Sequence, residues 1–165
     1  MRLGQQNKIT RRWARRGTRP RAVADLRTQS AYLFGAICPE RGAAAAVVMP
    51  HADTAAMQHH LDEIGRIVTP GAHGLIVLDQ AAWHTTEQLR LPDNLSLLPL
   101  PPKSPELNPA ENVWEFLRQN KLSNLIFEGY EAIVTAACEA WNSLVADPDR
   151  ITSIGTRSWA ATGQP

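Results

Sequence analysis

Two carboxylates stand where a sheet could put them to chemical use. Asp79 closes the apolar run GLIVLD, Gly74 to Asp79, and Glu111 lies in NPAENVW with 31 residues between them. An acid that ends a buried strand emerges at the carboxyl edge of its sheet, where open α/β sheets hold ligands. Each acid also has a plainer role. Asp79 suits a turn or cap, and Asn108, Pro109 and Glu111 suit the N-cap, first and third positions of a helix, as in a capping box with Asn in place of Ser or Thr. Together they read differently, because one crossover and one strand bring both to the same edge. Paired carboxylate oxygens suit Mg²⁺, and two such ions about 3.5 to 4 Å apart stabilise the attacking and leaving oxygens of a phosphodiester. The stretch Leu98 to Asn108 carries four prolines in eleven residues. So stiff a loop can hold Glu111 opposite Asp79 at low entropic cost. His84, five residues after Asp79, is an auxiliary ligand or proton-transfer candidate or a packed crossover histidine, and Asn108 is a second auxiliary candidate. Glu106 rivals Glu111 but has a less fixed direction inside the proline loop.

The charge distribution names a partner class. The 165 residues carry a net charge of +1, yet residues 1–27 hold nine Lys and Arg against Asp25 alone, and the remainder is correspondingly acidic. Lys8, Arg11, Arg12, Arg15, Arg16 and Arg19 concentrate a field suited to a polyanion such as nucleic acid. A solvated basic terminus is the competing reading. The chain shows no apolar run of membrane-spanning length and no secretory leader, so no membrane partner and a cytoplasmic location are expected. Cys38 and Cys138 are far apart in sequence and read as reduced, packed thiols. His51, His59, His60 and His73 share no ligand motif, and the adjacent His59 and His60 cannot face one way on a helix.

The elements that must position these groups can be read from the pattern. Residues 1–30, broken at Gly17 and Pro20, form a basic arm or hairpin, 31–148 the main domain and 149–165 a C-terminal tail without clear period. AYLFGAICP and AAAAVVMP are two strands joined at Glu40 to Gly42, expected antiparallel. Met57, Leu61, Ile64 and Val68 lie on one helical stripe begun by Asp53. GLIVLD and NLSLLPLP read as strands buried on both faces and joined by a crossover, hence parallel. Helices follow from Pro109 to about Gln119 and Glu128 to about Val145, with Trp114, Leu117 and the stripe Tyr130, Ile133, Val134, Ala137, Trp141, Leu144 and Val145 as core. The fold class is α/β, a mixed sheet flanked by helices.

LIVLDQAAWH followed by LPPKSPELNPAENVW closely resembles the end of the catalytic domain in insertion-sequence transposases of the Tc/mariner superfamily, the DDE superfamily endonucleases. RRWARRGTRP, SAYLFGAICP and CEAWNSL extend the resemblance over nearly the whole chain. It implies an RNase H-like fold, Mg²⁺ or Mn²⁺ dependence, and cleavage and strand transfer at transposon ends. Asp79 would be the second catalytic acid and Glu111 the third, both as metal ligands. In that family the first acid sits on a central strand just upstream of the stretch matching RLGQQNKITRRWA. The expectation is therefore an RNase H-like sheet lacking its first central strand, an incomplete site, and a catalytic-domain fragment impaired or inactive alone. Its implied partners are DNA, at transposon ends and target, and a homo-oligomer or an upstream-encoded transposase half, in a nucleoid-associated setting. The alternative is a non-catalytic DNA-binding or subunit-interaction fragment that modulates a full-length transposase.

Overall fold

A computed structural model of the chain describes residues 1–6, 13–18, 20–21, 23–84 and 86–160. The strands are β1 (Arg2–Gly4), β2 (Ser30–Cys38), β3 (Ala43–Met49), β4 (Gly74–Leu78) and β5 (Leu95–Pro99). The helices are α1 (Thr54–Ile67), α2 (Pro109–Asn120), α3 (Tyr130–Val145) and α4 (Pro148–Gly155). Strands β1, β2 and β3 form an antiparallel sheet, while β4 and β5 form a separate parallel pair, Gly74 opposite Leu95 and Leu78 opposite Pro99. The β2–β3 connection is the expected tight one, a 3₁₀ turn closed by Gly42 in the left-handed region (φ 58°). That conformation is cheap only for glycine.

Alternation along β2 assigns its two faces to different helices. Phe34 and Ala36 point to α1, joining Met57, Leu61 and Ile64. Leu33 and Ile37 point the other way, to Val113, Trp114 and Leu117 of α2, Trp141 and Leu144 of α3, and Ile151 of α4. Gly35 sits under the two tryptophans, where a Cβ would lie 2.6 Å from the Trp141 ring and 2.7 Å from that of Trp114. Helix α1 also covers Leu78 and Leu95, so it spans both sheets. The expectation that β4 and β5 are buried on both faces does not hold. Ile76, Leu78, Leu95 and Leu97 pack toward α1, but Leu75 is 60% exposed and Leu98 44%, because no described helix covers the opposite face.

The stretch expected to be a basic arm is stitched down at both ends. Met1, Arg2, Leu3 and Gly4 pair with β2, and the buried Gln5 donates to the Phe127 carbonyl at 3.0 Å. Arg27 grips Asp25 at 2.7 Å and the same Phe127 carbonyl at 2.8 Å. Its guanidinium, hydrogen-bonded to Asp25, holds that carboxyl below the ordinary range. Between these anchors Trp13 to Thr18 are exposed. At the other end, the tail begins as a helix. Asp147 caps α4 by accepting from Arg150 N at 3.0 Å, Pro148 takes the first position, and Ile151 is fully buried. Cys38 and Cys138 are free, as expected, but both are exposed and not packed. No described helix is long and apolar enough to cross a membrane.

Candidate metal centre

The groove at the end of β4 is built from two sequence segments. Asp79 to Ala81 form one wall, and Leu100 to Ser104, Asn108 and Glu111 form the other. Gln80 ties the walls together by donating to the Leu100 carbonyl at 2.9 Å, beside the ladder bond from Leu100 N to Leu78 O at 2.8 Å. Asp79 is exposed at the strand end. Its Oδ1 accepts from Ala81 N at 3.1 Å and lies 2.7 Å from His84 Nδ1, which is also 3.1 Å from the Asp79 carbonyl. The turn role and the ligand role thus coexist, since only one carboxylate oxygen is engaged. Trp83 presents its ring edge-on to the His84 imidazole, centroids 5.9 Å apart, which fixes the ring over the turn.

Glu111 occupies the third position of α2, but the capping box is only half formed. Asn108 Oδ1 accepts from Ala110 N at 3.0 Å, and the Glu111 carboxylate, exposed, makes no hydrogen bond among the described residues. Helix position therefore aims Glu111 without consuming it. Val113, Trp114 and Leu117 bury the opposite face of α2 and set its rotation. In the proline loop Lys103 adopts a left-handed backbone (φ 61°) between Pro102 and Ser104. Such a conformation costs on the order of 1 kcal/mol or more in a non-glycine residue and recurs at functional loops. Nothing in the pattern of prolines signals it.

The α-amino group of Met1 belongs to the same neighbourhood. It donates to the Leu33 carbonyl at 2.6 Å, continuing the β1–β2 ladder. Burial, and then Arg118, push its pKa down to about 6, while Glu111 and Asp79 act the other way. Met1, Asp79, Glu111 and Arg118 therefore share one electrostatic region. Behind it on α1, burial and then His84 lower the pKa of His60 to about 4, and His60 Nδ1 has no hydrogen-bond partner among the described residues. The adjacent His59 and His60 face different ways, as expected: His60 is buried against Phe34 and His59 is exposed.

Asp79, Asn108 and Glu111 thus come together in one groove, and His84 touches Asp79. Arg15 and Arg16 lie in the exposed segment Trp13 to Thr18 and do not line the groove. Lys8, Arg11, Arg12 and Arg19 lie outside the described residues. The donor set is two carboxylates and a histidine in contact with one of them; no group of three or more His, Cys, Asp or Glu side chains among the described residues could hold a metal ion. Hard oxygen donors on an open groove fit one divalent cation that keeps most of its waters, and do not fit a two-ion centre.

Fold and site together define a class of protein, an α/β domain with acids at a strand end and a helix start. Residues 1–133 match the DDE superfamily endonuclease family, and the chain belongs to it. An uncharacterized protein of Sinorhizobium fredii, y4pE/y4sA, is 59% identical over 130 residues, covering 79% of this chain and 96% of the relative. The fold resembles the Mos1 strand transfer complex (TM-score 0.56, 15% identity, 95% of this chain and 53% of that one). It also resembles the Mos1 transposase paired-end complex with the left transposon end (TM-score 0.60, 17% identity, 94% and 54%). The architecture is RNase H-like, and the chain spans about half the length of those transposase chains.

Proposed function

We propose that this chain is a fragment of a transposase catalytic domain, supplying the second and third acids, Asp79 and Glu111, for metal-dependent cleavage and strand transfer at transposon ends. The observation that carries this reading is the groove that Asp79 and Glu111 both line, one from the end of β4 and the other from the first turn of α2. Mg²⁺ or Mn²⁺ held there would supply Lewis-acid stabilisation of phosphoryl oxygens. The chain's own contribution is to aim the two carboxylates: Asn108 caps α2 and so fixes Glu111, while Ala81 N and His84 orient Asp79. With two acids the site is incomplete for a two-ion mechanism, and the fragment is impaired alone, acting with DNA in the nucleoid.

The test is supercoiled plasmid incubated with the purified chain and Mn²⁺. The expected result is no sustained nicking. Sustained nicking lost in Asp79→Ala and Glu111→Ala would overturn the claim of impairment, and nicking indifferent to both would overturn the site.

The second reading is a non-catalytic fragment that binds DNA or a full-length transposase. It is favoured by the exposed segment Trp13 to Thr18, which carries Arg15 and Arg16 beside a fully exposed Trp13. Basic side chains grip phosphates, and an indole offers a stacking face to a base. Affinity for duplex DNA that falls steeply with salt supports it; no binding at low salt removes it.

A further inference from the structure

Among the described residues that line the groove, Lys103 is the only Lys or Arg, and it is exposed. It shares the groove with two carboxylates and pairs with neither. Its backbone and side chain make no hydrogen bond or ion pair among the described residues. Pro102 and Lys103 are the central residues of a turn, and Lys103 has a φ of 61°. At that position a positive φ ordinarily selects Gly or Asn, which reach it at little cost. A lysine is held there against its own backbone preference, and no described contact within the protein offsets the strain. The turn is braced on both sides. Leu100 N donates to Leu78 O at 2.8 Å before it, and Leu107 N donates to Ser104 O at 3.2 Å after it, closing the 3₁₀ turn Pro105–Leu107. With Pro101 and Pro102 in between, the loop has few backbone states and presents the ammonium group from a fixed base.

We propose that Lys103 is the groove's contact for a backbone phosphate of DNA, on the strand whose neighbouring phosphodiester lies at Asp79 and Glu111. The proposal rests on the catalytic reading for the identity of the substrate, and adds the residue that seats the strand. Two carboxylates repel a polyanion, and one divalent ion between them does no more than cancel their charge. Lys103 supplies the attraction that the rest of the lining lacks. An ammonium group binds phosphate oxygen as a point charge and reads no base, so the contact is independent of sequence. A lysine that served only to balance charge would fold onto Asp79 or Glu111. The turn keeps it off both, which leaves the cation free for a ligand. This contact is separate from Arg15 and Arg16, which lie in the exposed segment Trp13 to Thr18 and do not line the groove.

The probe is a fluorescein-labelled DNA duplex, bound to the full chain in Mg²⁺, after which the complex is acetylated with limiting reagent and read by mass spectrometry. The sequence has three lysines, Lys8, Lys103 and Lys121. Lys121, exposed at the far end of α2 and about 15 Å along its axis from Glu111, is the internal reference. DNA is expected to slow acetylation of Lys103 several-fold and to leave Lys121 unchanged. In affinity titrations across a range of salt, Lys103→Gln and Lys103→Gly are expected to lower the slope of log affinity against log salt by about one, and Lys103→Arg to keep it. Lys103→Gly is also expected to unfold at a urea concentration no lower than the parent's, since glycine takes the left-handed backbone freely. No DNA binding, equal shielding of Lys103 and Lys121, a salt slope that does not follow the charge at position 103, or an earlier urea midpoint in Lys103→Gly would each overturn it. Mn²⁺ titration without DNA reads the two acids separately. Metal binding with Lys103 unshielded removes this proposal alone, and Lys103 shielded in a chain that binds no Mn²⁺ removes the metal site alone.

Discussion

His84 Nδ1 lies 2.7 Å from Asp79 Oδ1, and that contact places an imidazole behind the one strand-end carboxylate of the groove. In the proposed site the ring would act on Asp79 and not on the metal ion itself. Partners of this kind typically change metal affinity by about 10- to 100-fold when removed. His84→Ala is therefore expected to weaken Mn²⁺ binding about tenfold while Asp79→Asn abolishes it, as read by calorimetric titration. Equal affinity in His84→Ala would reduce the contact to a turn-stabilising one.

Asn108 and Glu111 divide one helical turn between a capping role and the proposed metal-binding one. Asn108 supplies the cap, so Asn108→Ala is expected to cost about 1 kcal/mol in urea unfolding. The Glu111 carboxylate accepts no hydrogen bond among the described residues, so Glu111→Gln is expected to stay within about 0.5 kcal/mol of the parent. A large stability loss in Glu111→Gln would restore the capping-box role.

His60 makes stability depend on pH. Its folded pKa, about 4, lies below the ordinary value of 6.5, so the unfolded chain binds the proton more readily. Stability is full above pH 6.5, falls as pH drops toward 4, and levels off below that, a total loss of about 3 kcal/mol. His60→Phe is expected to flatten this part of the profile in unfolding titrations at pH 4, 5, 6 and 7. An unchanged slope would place the sensitivity elsewhere.

Much of the scaffold was legible because local signals and tertiary packing agree. Asp53 caps α1 by accepting from Ala56 N at 2.8 Å, the β2–β3 connection closes at Gly42, and the apolar stripe of α3 buries Ile133, Ala137, Trp141 and Leu144. The capping triplet of α2 gave the direction of Glu111, although the reciprocal half of the box is missing. What escaped was non-local. β1 is three residues long and exists only by pairing with β2, and α4 is too short for a period to emerge. Exposure of Leu75 and Leu98 depends on which faces other elements leave uncovered, and the burial of His60 depends on α1 packing against Phe34. None of these is encoded in a window of neighbouring residues.

α4 offers a direct check on that lesson. Ile151 is fully buried between α2 and β2, and Thr152 Oγ1 donates to the Pro39 carbonyl at 2.7 Å. Ile151→Ala is expected to destabilise the chain by about 2 to 5 kcal/mol, the range for emptying a core site. A change under about 0.5 kcal/mol, the scale of surface substitutions, would mean that residues after Val145 are a detached tail.

Asp79 and Glu111 are proposed to act as one ligand pair, and Mn²⁺ titration of the parent chain beside Asp79→Asn and Glu111→Gln decides that claim. One binding event per chain is predicted in the parent and none in either variant, with circular dichroism spectra unchanged. Binding that survives both substitutions in folded protein would contradict the claim.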